Sequence, residues 1–294
     1  GSVLYIHHQS TTKSGVSVLD ADDAMGDFKA FLPLETDHEY STEKLGDYYF
    51  IHTNWHAKNF RIMKVHKSQT ADKSAWVDVI AHRDGVYIED FTVFENSLVV
   101  KEKQNGENRI RVMNLTSGES QFLKFDDPIF SVYFSNNPEI TSGSVRLRYS
   151  SLNTPNTVYQ FNLASTECTL LKQDEVLGGF SADNYQSERI FIKARDEKMV
   201  PVSIVYRKDK FNKDASNPIF LYAYGSYGIT IEPSFNAARL SLLDRGVVYA
   251  IAHVRGSEML GRPWYEDGKL FNKMNTFNDF IDVTKALPTL NYGA

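Results

Sequence analysis

The chain has 294 residues, 42% apolar and 23% charged, with a net charge of −5 and one cysteine. This is the profile of a globular protein rather than a disordered one, and no apolar run reaches the roughly 18 residues of a membrane span. The mild acidic balance and the lack of a long Lys/Arg run exclude a nucleic-acid track, and Cys168 alone forms no internal disulfide, so a reducing, cytoplasmic setting is expected.

The start GSVLYIHHQS has no basic segment leading into an apolar core, so no signal peptide is read. Gly1-Ser2 reads as a remnant of cloning or a cut point. Four strand pairs follow in chain order, alternating apolar and polar residues and separated by polar turns. They are SVLYIHHQS with GVSVLDAD around a turn at Thr11 to Gly15, DYYFIHTN with NFRIMKVH, NSLVVKEK with NRIRVMNL, and VRLRYSSL with TVYQFNL. The pairs recur at roughly 45–50 residues, close to the period of propeller blades. A sandwich of the same strands is the other reading.

From about Gly178 the pattern changes. RIFIKARD and VPVSIVYRK form one more hairpin, and IFLYAY is a continuous apolar run suited to a strand covered on both faces. A helix is expected next, N-capped by Ser234, with an apolar stripe of Phe235, Ala238, Leu242 and Leu243 and a stop at Gly246. VVYAIAHVRG reads as a second buried strand. Thr276 and Asp279 have capping-box spacing before a helix that Pro288 ends. Strand, helix, strand, helix indicates a parallel α/β layer, and the chain stops at NYGA where another strand is expected. A sheet so short should expose an apolar edge.

A serine between glycines, Ser226 in YAYGSYG, invites a nucleophile reading. The strand-to-helix elbow requires G-x-S-x-G, and here Tyr224 occupies the first glycine's place. No other serine satisfies the pattern, so Ser226 reads as a turn residue. The position of the loop, between a strand and a helix, matches the one that supplies part of the oxyanion hole in α/β hydrolases. Its glycines allow close backbone approach, and an aromatic hydroxyl adds a donor. His52 and His56 have i, i+4 spacing but lie in strand and turn sequence, so no metal site is expected. His253 reads as a structural histidine, and WHAKNF and PWYEDG as exposed-looking aromatics and charges. No phosphate loop, dinucleotide fingerprint or CxxC is present, and no cofactor is expected.

The runs FLYAYGSYG, RLSLLDRGVVYAIAHVRG, GRPWYEDGKL and NTFNDFI, with DHEY, KNFRI, FDDP, YSSLNTP and VPVSIVYRK before them, resemble the prolyl oligopeptidase family of serine peptidases, in its oligopeptidase B branch. The resemblance spans nearly the whole chain. It implies a partial β-propeller over residues 1–177, followed by the N-terminal portion of an α/β-hydrolase peptidase domain over 178–294.

It further implies a cytosolic enzyme cleaving short peptides after Arg or Lys, with Tyr224 as the oxyanion tyrosine. The serine, aspartate and histidine of the triad are expected beyond this chain, which alone should be inactive. Glu232 matches the first of two acidic residues that bind basic substrate side chains, and Ser234 stands in place of the second. Ser257, Glu258 and Met259 replace further glycines and a glutamate. The contrasting reading is a non-catalytic propeller module that binds peptides or proteins. No nucleic-acid or membrane partner is expected, and the oligomeric state is left open.

Overall fold

The structure, a computed structural model, describes residues 3–10, 12–23 and 25–293. Thr11 of the first expected turn, Gly1-Ser2 and Ala294 fall outside them. The chain divides into two compact units. One comprises residues 1–102, 110–121 and 139–142, and the other 103–109, 122–138 and 143–294.

The first half of the chain forms four antiparallel sheets, each a meander. Strands β1 (Val3–Gln9), β2 (Ser14–Asp20) and β3 (Lys29–Ala30) make the first, and β4 (Tyr40–Leu45), β5 (Tyr48–Thr53), β6 (Arg61–His66) and β7 (Val77–Ile80) the second. The third holds β8 (Val86–Phe94), β9 (Ser97–Gln104), β10 (Glu107–Asn114) and β11 (Ser120–Phe122). The fourth holds β12 (Phe130–Phe134), β13 (Ser144–Ser151), β14 (Thr157–Asn162) and β15 (Cys168–Gln173).

All four expected hairpins are present as adjacent strands, in the order expected of blades. Local chemistry sets their turns. Between β9 and β10, Asn105 (φ 52°) and Gly106 (φ 78°) both adopt the left-handed region. That pair of residues is favoured at a two-residue turn whose twist matches the strands it joins. Along β10 the side chains alternate, with Asn108, Ile110 and Val112 buried.

The second half contributes a mixed sheet of β16 (Tyr185–Lys193), β17 (Met199–Arg207), β18 (Ile219–Ala223) and β19 (Val248–Ala252), in the order β16-β17-β19-β18. The expected parallel pairing is that of β18 with β19, in register from Ile219↔Val248 to Ala223↔Ala252. The β16–β17 hairpin joins antiparallel through Val202↔Ala252, so the layer is mixed. Three helices follow or intervene: α1 (Ala237–Leu243), α2 (Arg262–Glu266) and α3 (Met274–Thr289).

Both faces of β17 are covered. Val200, Val202 and Ile204 pack with Val254, Val283 and Leu287, while Val205 packs with Leu243 and Ile251. A strand buried on two sides needs an apolar run rather than alternation. The run IFLYAY, read the same way, instead lies at the sheet edge, and Phe220 and Tyr222 are 47% and 39% exposed.

Two helix starts differ from the sequence reading. Helix α1 begins two residues later than Ser234 implies, because the Asn236 side chain accepts from the Ala238 N–H at 2.9 Å. Phe235 thus lies outside the helix, and its N–H donates to Ser150 Oγ. The stop at Gly246, with φ 85°, is where the sequence places it. In α3, Thr276 and Asp279 cap nothing, because both side chains reach out of the helix to the strand end after β19.

Candidate functional site

The segment after β18 is held by three glycine contacts and one helix. A Cβ on Gly225 would lie 2.7 Å from the Arg255 carbonyl oxygen, and one on Gly256 (φ 94°) 2.1 Å from the Gly225 carbonyl oxygen. Only glycine permits two chains to approach so closely. Gly228 N–H donates to the Gly256 carbonyl at 3.0 Å, and Glu258 N–H donates to the Gly228 carbonyl at 3.0 Å. The loop 225–228 is therefore laced to the turn that follows β19.

Ser257, Glu258 and Met259 close that turn rather than loosen it. Ser257 Oγ donates to the Val254 carbonyl at 2.8 Å, Glu258 pairs with Arg262 at 2.7 Å, and Met259 is fully buried. The aromatics of PWYEDG, read as exposed, are buried in α2. Trp264 is held by a hydrogen bond from Nε1 to the His253 carbonyl at 2.9 Å.

The first turn of α3 completes the arrangement. Lys273 Nζ donates to the Gly225 carbonyl, to Ser226 Oγ at 2.9 Å and to Thr276 Oγ1 at 3.2 Å. Thr276 Oγ1 donates in turn to the Arg255 carbonyl at 2.7 Å. Partial burial holds the Lys273 ammonium below its usual pKa. One turn on, Asp279 grips the Arg255 guanidinium and backbone N–H, and Asp196 takes the other guanidinium nitrogen at 2.5 Å. The Arg255 hydrogen bond holds the Asp196 carboxyl below its usual range.

Tyr224 stands immediately before this immobilised loop. It is 38% exposed, its hydroxyl makes no hydrogen bond among the described residues, and it borders a pocket of about 400 Å³ with Ser226, Lys273 and Phe277. A phenol held on rigid backbone beside open space can donate to an incoming oxygen. Ser226 Oγ accepts from Lys273 Nζ at 2.9 Å in this arrangement.

Glu232 lies elsewhere in the same unit, with its carboxylate already engaged. Lys103 Nζ donates to Oε1 at 2.5 Å and Asn108 Nδ2 to Oε2 at 3.1 Å, and both side chains of the ion pair are nearly buried. Next to it, His253 is fully buried, with Nε2 2.6 Å from Ser203 Oγ, and Arg189 Nε donates to the same hydroxyl at 3.1 Å. Burial, then the nearby Arg189 charge, drive the His253 pKa well down. His52 is likewise a core residue, bonded to the Ile88 carbonyl at 2.9 Å and lowered by burial to about 4. His56 occupies an exposed turn against Trp55.

The roles of Lys273, Thr276 and Asp279 escape sequence reasoning. The partial signal was available: a lysine and two polar residues lie on the face of α3 that also carries Val283 and Leu287.

Residues 1–174 match the family model of the prolyl oligopeptidase N-terminal beta-propeller domain, and residues 233–293 that of the prolyl oligopeptidase family. The chain is 44% identical over 271 residues to dipeptidyl aminopeptidase BI of Pseudoxanthomonas mexicana, covering 92% of this chain and 37% of that one. Against protease 2 of Moraxella lacunata it is 31% identical over 292 residues, covering 99% and 41%. The solved structure of oligopeptidase B from Leishmania major is similar over 100% of this chain and 42% of its own, with a TM-score of 0.91 and 34% identity.

The chain thus spans about two fifths of the length of these relatives. A propeller model covering more than half of the residues, a second family model over the later ones and solved relatives of the same fold together settle the assignment: this chain belongs to the prolyl oligopeptidase family.

Proposed function

We propose that the complete protein carrying this sequence is a cytoplasmic serine-type oligopeptidase that cleaves short peptides after Arg or Lys. In this reading Tyr224 donates its hydroxyl to the oxyanion of the tetrahedral intermediate, together with a backbone N–H. The observation that carries it is an exposed, unbonded phenol on a backbone segment fixed by Gly225, Gly256 and Lys273. Preorganised donors of this kind stabilise charge only where it develops in the transition state.

The serine nucleophile, with the histidine that takes its proton and the aspartate that orients it, lies in parts of the complete protein outside these 294 residues. Similarity to oligopeptidase B supports the preference for basic residues. Glu232 serves a basic side chain at a neighbouring subsite by exchanging Lys103 for it.

The test is Tyr224→Phe in the complete enzyme, assayed on fluorogenic peptides with Arg, Lys or a neutral residue before the scissile bond. Turnover is expected to fall about 10²–10³-fold, with KM little changed. Near-normal turnover on the Arg substrate would remove Tyr224 from the oxyanion site. Equal kcat/KM on Arg and neutral substrates would overturn the basic preference. The isolated 294-residue chain is expected to resist labelling by a fluorophosphonate.

A further inference from the structure

We infer that Lys273 is a positioning residue for catalysis: its ammonium fixes the Gly225–Ser226 peptide and thereby sets where the Tyr224 hydroxyl points. This rests on the oxyanion reading of Tyr224. The geometry carries it. Lys273 sits at the start of α3, the helix anchored to the sheet by Val283 and Leu287. From there Nζ reaches the carbonyl oxygen of the residue that follows Tyr224, as well as the hydroxyl two residues after it.

An ammonium has three N–H donors, and Lys273 places them on three acceptors: Gly225 O, Ser226 Oγ and Thr276 Oγ1. Three acceptors match the three N–H donors of the ammonium, the ordinary form of a lysine. This matters because a lysine beside a serine also suggests a general base and nucleophile. A base needs a lone pair aimed at the serine proton, whereas here Ser226 Oγ accepts. Ser226 is thus a tether for the loop.

The effect on rate follows from distance. Catalytic groups must be held close to the productive geometry, and a displacement of about 1 Å can cost about 10²-fold. Gly225 has no side chain to pack, and with Lys273 removed its carbonyl keeps only a long contact to Thr276 Oγ1 at 3.5 Å. Tyr224 is then free to leave the position that the loop imposes on it. A loss of positioning should appear in kcat rather than in KM, because the interaction concerned is made in the transition state.

The experiment is a double-mutant cycle in the complete enzyme with Lys273→Met, Tyr224→Phe and the double variant, with Ser226→Ala and Lys273→Arg alongside. Lys273→Met is expected to lower kcat about 10- to 10²-fold with KM within about twofold. Adding it to Tyr224→Phe should cost little more, because a residue acting through Tyr224 has nothing further to position. Ser226→Ala should cost only a few-fold, and Lys273→Arg should recover part of the loss. Thermal unfolding of each variant identifies a global loss of fold.

Additive losses in the cycle would overturn the positioning role while leaving Tyr224 in place, as would an unchanged kcat in Lys273→Met beside an impaired Tyr224→Phe. If Lys273→Met unfolds the protein, Ser226→Ala and Lys273→Arg carry the same test, and additivity of either with Tyr224→Phe overturns the inference. A normal Tyr224→Phe would fail the oxyanion reading itself, and the positioning role with it. Loss of all turnover in Ser226→Ala, with fluorophosphonate labelling at that serine, would assign the pair as nucleophile and base instead.

Discussion

Arg255 and Asp279 form a buried ion pair that joins the end of β19 to α3. Asp279 accepts from Arg255 Nη2 at 2.6 Å, from Nε at 3.0 Å and from the backbone N–H at 2.9 Å, and the two side chains are 2% and 0% exposed. Removing Asp279 leaves the buried Arg255 guanidinium with Asp196 alone and strands the Arg255 backbone N–H, a loss of about 3 kcal/mol. Asp279→Ala is therefore expected to lower unfolding stability by that amount in a denaturant titration. The double variant Arg255→Met/Asp279→Leu should recover most of it, since apolar replacement of a whole buried pair is often neutral. A single-variant loss under about 1 kcal/mol would show the pair to be screened.

The same strand end sets a steric limit. At Gly256 a methyl group meets a backbone oxygen at 2.1 Å, and the φ of 94° is itself strained for any other residue. Gly256→Ala should cost well over about 3 kcal/mol, beyond the roughly 1–3 kcal/mol of backbone strain alone. Gly118 provides the control, with φ 75° and open space around its Cα. Gly118→Ala should cost only about 1–2 kcal/mol. Equal losses at the two positions, measured by the same titration, would show that close packing against Gly225 is not what excludes a side chain.

These residues also show where sequence reading succeeds and where it stops. The β9–β10 hairpin is legible because the alternation of β10 and the Asn-Gly turn are both local, although β9 itself is buried almost throughout. The strands flanking the four read pairs escape, both the short or largely exposed β3, β7, β11 and β15 and the better buried β4, β8 and β12. Ser234 was a plausible cap, yet Asn236 captures the helix start because its side chain reaches the Ala238 N–H.

Thr276 and Asp279 have the spacing of a local cap but act on residues more than 20 positions earlier. No spacing rule encodes that. The YAYGSYG loop between a strand and a helix is legible in the sequence, whereas the contacts of Lys273 with it exist only once α3 has docked.

Glu43 makes stability depend on pH. Its half-buried carboxyl accepts from the Val93 N–H at 2.7 Å and is pushed from the ordinary 4.5 to about 7, mainly by desolvation. Between those values the folded state binds more protons than the unfolded one, so this group lowers stability as pH rises through the window. Glu43→Gln keeps an oxygen for Val93 and cannot ionise. Its advantage over the parent should grow from under about 1 kcal/mol at pH 5 to roughly 3 kcal/mol at pH 8. Denaturant midpoints at the two pH values decide it, and a difference independent of pH would mean that Glu43 titrates normally.

The Glu232 carboxylate is held by Lys103 and Asn108. Under the proposed reading, a basic substrate side chain at Glu232 would replace the Lys103 ammonium, an exchange of one cation for another. Such an exchange gains little Coulomb energy, and its effect should be confined to substrates that present a second basic residue. For Glu232→Gln in the complete enzyme, KM is expected to rise about 10-fold for peptides with two adjacent basic residues, about 1.4 kcal/mol of binding. Peptides with a single basic residue should be unaffected. Steady-state kinetics on the matched pair give the answer: unchanged discrimination would assign Glu232 wholly to its pair with Lys103, as a structural anchor for the β9–β10 turn.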